Sequence, residues 1–307
     1  MSRTIKDYLV IGFKGIAMGA ADVVPGVSGG TIAFISGIYE ELLSSISNIN
    51  FSLFKTLKNN GAKELWKQLN GNFLASLLMG VFLSILSLAK VIKWLLENKP
   101  ILVWSFFFGL VLASIFFIAK QITKWNFQVI FFLIIGAFFA FYITTLNPLV
   151  TENSSFLFMF LAGAIAICAM ILPGISGAFI LVLLGAYKPI LTALNERNLR
   201  IIFAFSLGAV IGLLSFSRIL KWLFANYKNL TLAGLTGFII GSLNKIWPWK
   251  ETTSWRIDSH GVKAPFNEVS ISPFSFQGDS HFVLAIVLVV FGFLFILFME
   301  RWAEKKQ

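Results

Sequence analysis

Two short stretches carry the polar chemistry of this chain. Pro25-Gly26-Val27-Ser28-Gly29 returns as Pro173-Gly174-Ile175-Ser176-Gly177, each time inside an otherwise apolar run. Proline suits the first turn of a helix because it has no N–H to leave orphaned there. Glycine lets backbone approach a ligand closely. A helix beginning at Ser28 or Ser176 therefore aims free N–H groups, with Gly26, Gly29, Gly30, Gly174 and Gly177 around them, at whatever lies ahead. That is anion-binding chemistry. Each helix end acts as about half an elementary charge, so two converging ends offset about one. A phosphate monoester carries more than that, and the hydroxyls of Ser28, Thr31 and Ser176 are the added donors in reach. The plainer reading is a tight turn in which the serines cap the helix that follows. Duplication with unchanged Ser and Gly spacing favours function.

Five charged positions extend this list. Asp22 precedes the first motif, while Met170 stands at the matching place in the second. An acid inside a membrane segment is costly to bury and marks a functional candidate; proton coupling and a structural cap on the turn are both open. Lys90 and Lys93 correspond to Arg218 and Lys221, and three-residue spacing puts each pair on one helix face. Such pairs could collect a lipid phosphate from either leaflet or snorkel to the interface beside Trp94 and Trp222. No metal or cofactor is expected, because His260 and His281 have no Cys or acidic cluster around them, and the single Cys168 excludes an internal disulfide.

The elements that must hold these residues are membrane helices. The chain has 307 residues, 57% hydrophobic and 13% charged, against about 25% charged in soluble domains. The net charge of +11 fits juxtamembrane Lys and Arg and an anionic lipid partner rather than nucleic acid. The motif echo has an offset of 148; a second echo, Leu86-Ser87 with Leu214-Ser215, has an offset of 128, the first half carrying the difference around 51–70. The expected fold is an all-α integral membrane protein of two inverted repeats, 1–150 and 151–307. Each repeat is a Pro-Gly-broken helical hairpin, re-entrant or fully spanning, plus three crossings. The hairpins fall at 8–47 and 156–195, the crossings at 73–96, 101–119, 127–146, 201–224, 229–247 and 282–299. The stretch 250–281 reads as a disordered or weakly paired external loop. Glycine series such as Gly12, Gly15 and Gly19 read as close helix contacts. Basic residues near 3–6, 55–67, 120–124 and 301–306, opposed to Glu152 in a loop with no basic residue, put both termini in the cytoplasm.

The run Gly19-Ala20-Ala21-Asp22-Val23-Val24-Pro25-Gly26-Val27-Ser28-Gly29-Gly30-Thr31, then Gly37-Ile38-Tyr39-Glu40, resembles the first signature of the polyprenyl-phosphate transporter family. Leu172-Pro173-Gly174-Ile175-Ser176-Gly177 with Gly185-Ala186-Tyr187 resembles the second, and Gly237 through Gly241-Ser242-Leu243-Asn244-Lys245-Ile246-Trp247-Pro248-Trp249 the third. The resemblance implies a bacterial inner-membrane transporter, not an enzyme, that returns undecaprenyl phosphate from the outer to the inner leaflet for envelope synthesis. A single chain and a homodimer are both compatible with it. One alternative is an undecaprenyl-diphosphate phosphatase, whose motif is similar; here Gly29 and Gly177 occupy the place of its Arg, and Asp22 has no second nearby acid before Glu40. The other is a channel or exchanger for a small anion.

Overall fold

A computed structural model describes residues 3–24, 26–50, 52–149, 154–257 and 263–304. Pro25, Glu152, His260, Lys305 and Lys306, used in the sequence reading, lie outside that set. The first half begins with α1 (Ile5–Val23), α2 (Gly29–Ile35) and α3 (Tyr39–Ser47). It continues with α4 (Ser52–Gln68), α5 (Gly71–Asn98), α6 (Pro100–Lys120) and α7 (Phe127–Thr145). The second half repeats the lengths: α8 (Phe156–Ile171), α9 (Gly177–Leu183), α10 (Tyr187–Asn195) and α11 (Leu199–Asn226). It closes with α12 (Lys228–Ser242), a 3-10 turn (Leu243–Ile246), strands β1 (Lys250–Ile257) and β2 (Lys263–Ser270), and α13 (Phe282–Glu304).

The first hairpin folds back along its own first arm. Gly29 N–H donates to Asp22 near the tip, Lys14 Nζ donates to Ser36 O half-way down, and Arg3 pairs with Glu41 at the base. That ladder is antiparallel, so the two ends of the hairpin lie on one side of the bundle. The second behaves alike: Ala186 and Ile190 return to pack on Met159 and Ala162 of α8, and α9 and α10 are bent by 103°.

Among the described residues four helices, α5, α6, α7 and α11, are long and apolar enough to cross a bilayer, and the bent α9–α10 pair is as well when taken together. Side chains such as Leu78, Phe82, Phe131, Phe138 and Val210 stay exposed on them, as expected of a perimeter solvated by acyl chains rather than water. The helices pair closely as α1 with α5, α8 with α11, α7 with α12 and α6 with α13. Small residues make this approach possible: a Cβ on Gly15 would stand 2.2 Å from Leu77 O, and one on Gly208 1.9 Å from Phe160 O. The last two pairs each join one half to the other. α6 and α12 run antiparallel, since Thr123 at the end of α6 bonds Asn229 at the start of α12, while Ile101 at the start of α6 packs with Trp249 beyond the end of α12.

Two expectations change. The crossing expected over 229–247 is not one helix: α12 has 15 residues, about 22 Å at 1.5 Å per residue, short of a hydrocarbon core of about 30 Å. Ser242 Oγ turns back to Ile239 O at 2.8 Å, and Pro248 stands shortly downstream, so the chain tightens into the 3-10 turn instead. The extra residues of the first half form α4, kinked at Gly61 (φ 80°), with no buried residue. The stretch expected as a loose loop contains an antiparallel ribbon, β1 against β2, tied down where Trp247 Nε1 donates to Ile271 O and Trp249 Nε1 to Ser280 O. One half-buried and one buried indole donor with fixed acceptors hold what composition alone reads as slack.

Candidate functional site

The two breaks meet. Ser28 Oγ lies 3.3 Å from Met170 O and 3.2 Å from Leu172 O, Tyr39 OH donates to Ile171 O at 3.1 Å, and Gly174 N–H donates to Thr31 Oγ1 at 2.9 Å. The last carbonyls of α8, which no residue of their own helix can satisfy, thus take their donors from the first half. The approach is close because Gly30 has no side chain: a Cβ there would stand 2.6 Å from Ile171 O. Gly26 (φ 84°) and Gly174 (φ 93°) turn the chain through the left-handed region that favours glycine.

Matching residues do different things in the two breaks. In the first, Asp22 Oδ1 accepts from Gly29 N–H at 2.7 Å and Ser28 Oγ accepts from Gly30 N–H at 3.1 Å. Two N–H groups expected to be bare are therefore already taken, and residues 26–34 are all buried. In the second, Ser176 makes no side-chain cap bond, and Met170 offers no carboxylate to Gly177. Met170 and Ala178 are exposed there, where their counterparts Asp22 and Gly30 are half-buried and buried. The first break is a closed, self-capped lock; the second is uncapped and open at its edge.

Of the residues singled out from sequence, Asp22, Ser28, Gly29, Gly30, Thr31 and Gly174 are joined by these bonds, and Ser176 and Gly177 follow directly in the second break. Lys90 is exposed on α5, away from this cluster. Arg218 is also exposed and donates to Ile49 O at 2.7 Å, anchoring the chain just beyond α3.

Three contributors escaped the sequence reading. Tyr39 crosses from one half to the other through its hydroxyl, and Lys14 caps the far end of α2. Lys245, in the 3-10 turn, lies against Gly26 and over the Phe179 ring. The available signal was a lone cation in each of two apolar runs, 8–24 for Lys14 and 229–247 for Lys245. The turn itself is braced from the ribbon, where Lys250 Nζ donates to Lys245 O at 2.7 Å and sits 4.0 Å from the centroid of the Trp104 ring. Burial pushes the Lys250 ammonium down to about 8, against a partial pull upward from Glu268.

Fold and site together define a polytopic helical membrane protein whose polar groups gather where two broken helices touch. Residues 18–264 match the profile of the undecaprenyl phosphate translocase-like family, and the chain belongs to that family. A polyprenyl-phosphate transporter of Vibrio cholerae serotype O1 is 50% identical over 309 residues, covering 99% of this chain and 100% of its own length. A polyprenyl-phosphate transporter of Staphylococcus aureus is 32% identical over 252 residues, covering 76% of this chain and 84% of its own. No solved structure matches the chain. The resemblance carried by the Pro-Gly signatures thus holds, and these relatives are named as transporters rather than phosphatases.

Proposed function

We propose that this protein is a polyprenyl-phosphate transporter of the bacterial inner membrane, moving undecaprenyl phosphate from the outer to the inner leaflet with both termini in the cytoplasm. The reading includes two inverted repeats, 1–150 and 151–307, so that the two breaks reach the middle of the bilayer from opposite sides. An isoprenoid tail stays in lipid throughout, and only the phosphate needs a polar path. The observation that carries the proposal is the meeting of the breaks through Ser28, Thr31 and Tyr39, in a chain whose relatives bear the transporter name. Broken backbone within lipid is tolerated only where it is buried in protein or lines a polar cavity.

The phosphate lodges at the second break, where the Ser176 hydroxyl and the Gly177 amide are uncapped. The first break works as the lock: its Ser28 and Thr31 side chains hold the second break in place across the close approach at Gly30, and Asp22 on the Gly29 amide keeps the first turn closed. Protonation of Asp22 would weaken its hold on the Gly29 amide, which couples opening of the lock to protons. Lys90 and Arg218 act further out, at the rims of α5 and α11.

Surface-exposed undecaprenyl phosphate, measured in cells that depend on this protein, tests the reading. Ser176→Ala at normal abundance should raise it, and an unchanged level would remove Ser176 from the site. Asp22→Asn should flatten the pH dependence of transport; a variant with the parent's profile would end the coupling idea. Phosphate release from undecaprenyl diphosphate, or chloride flux in vesicles without lipid movement, would replace the reading with the phosphatase or the channel.

A further inference from the structure

Lys245 comes from outside the two hairpins and touches both breaks. Its stem packs against the first, with Cγ 3.1 Å from where a Cβ on Gly26 would stand; its ammonium lies 4.7 Å from the centroid of the Phe179 ring, in the first turn of α9. Ile246 is buried next to it and also lies against Gly26, while Glu268 and the neighbouring Lys250 act on it electrostatically from the ribbon. Among the described residues Lys245 forms no ion pair: Glu268, the acid on the neighbouring ribbon, is 4.0 Å from Lys250 instead. A half-buried cation whose ammonium rests on a ring and makes no close ion pair is costly to keep charged unless an anion visits.

The arrangement is specific to the second break. At the repeat offset of 128 the counterpart of Lys245 is Phe117, so the first half supplies no equivalent charge. The first break already contains an anion, the Asp22 carboxylate, bonded to Gly29. The second has no acid at the matching Met170, a Ser176 hydroxyl that caps nothing, and exposed edges at Met170 and Ala178. Lys250 fixes the backbone that carries the charge by donating to Lys245 O.

We infer that Lys245 binds the lipid phosphate at the second break, its ammonium supplying the positive charge that the break lacks. The inference rests on the reading that this chain carries a polyprenyl phosphate, and it adds the residue that tells a phosphorylated prenyl lipid from its uncharged alcohol. The aromatic ring under the ammonium holds it without neutralising it, which leaves the charge available to a ligand.

The experiment titrates the purified full chain, in nanodiscs of uncharged lipid, with undecaprenyl phosphate and in parallel with undecaprenol. Lys245→Met is expected to weaken binding of the phosphate by at least about tenfold, the scale of one lost charge-assisted contact. Undecaprenol binding should stay within about twofold, since no charge is involved, and Lys245→Arg should keep most of the phosphate affinity. Lys245→Gln takes the place of the methionine variant if that variant does not fold. Equal phosphate binding by parent and neutral variant overturns the inference while leaving the transport reading standing. Parallel loss of both ligands overturns it too, by marking Lys245 as packing. A parent chain that binds neither ligand removes the transport reading, and the inference with it.

Discussion

The first and second breaks share a backbone and differ in charge. Both turn through a left-handed glycine, both lead into a seven-residue helix, and both are followed by a nine-residue arm. The first then closes on itself: Asp22 takes the Gly29 amide, Ser28 takes the Gly30 amide, and the whole turn is buried. The second leaves Ser176 uncapped, opens at Met170 and Ala178, and has a lysine beside it. The same backbone shape occurs twice, and the side chains around it differ.

Changes that erase the difference should be the most damaging. Gly30→Val puts a branched side chain where even a Cβ would stand 2.6 Å from Ile171 O. The breaks must part, at about 3 kcal/mol or more; the expected result is loss of folded protein by thermal unfolding in detergent, and a variant with the parent's Tm would contradict the close approach. Met170→Asp gives the second break the acid of the first. Its carboxylate should occupy the Gly177 amide and repel the phosphate, lowering transport at least about tenfold in a protein that still folds. Full transport by that variant would mean that the second break does not receive the anion.

A smaller effect belongs to the tie itself. Tyr39→Phe removes the hydroxyl bonded to Ile171 O at 3.1 Å and leaves a buried carbonyl short of a donor, for about 1–2 kcal/mol of stability. Thermal unfolding in detergent reads the loss, and a variant with the parent's Tm would argue that Tyr39 has no special part in joining the halves.

The smallest is a slope. Below pH about 8 the Lys250 ammonium is charged both folded and unfolded, and the folded state bears the full penalty of burying it. Between about 8 and 10.5 the folded state sheds the proton while the unfolded chain keeps it, so stability climbs; above 10.5 both are neutral and the gain is complete. For one proton the climb is no steeper than about 1.4 kcal/mol per pH unit. Thermal melts of parent and Lys250→Met across this range should diverge in slope, and parallel curves would show that Lys250 is not buried at such cost.

Much of this architecture was legible from residue types. The Pro-Gly interruptions, the glycine series on α1, α11 and α12, and four long apolar helices follow from local pattern, because each depends on spacing within one segment. What the sequence did not show depends on where the chain goes next. The bond between Asp22 and the Gly29 amide was not legible, because it depends on α2 returning past Asp22. Lys245 looked like part of an apolar crossing because nothing in 229–247 announces that α12 stops at Ser242. Arg218, the match of Lys90 at the repeat offset, instead anchors Ile49 O from an exposed edge. Periodicity tells which residues lie on one face of a helix; it does not tell which face another helix will cover.

The most direct test of the central claim is a structure of the protein with a polyprenyl phosphate bound. The account predicts the phosphate at the second break, within hydrogen-bond reach of the Ser176 hydroxyl and the Gly177 amide, with Asp22 still holding Gly29. A phosphate seated on Gly29 and Gly30 with Asp22 displaced, or one resting away from both breaks, would contradict it.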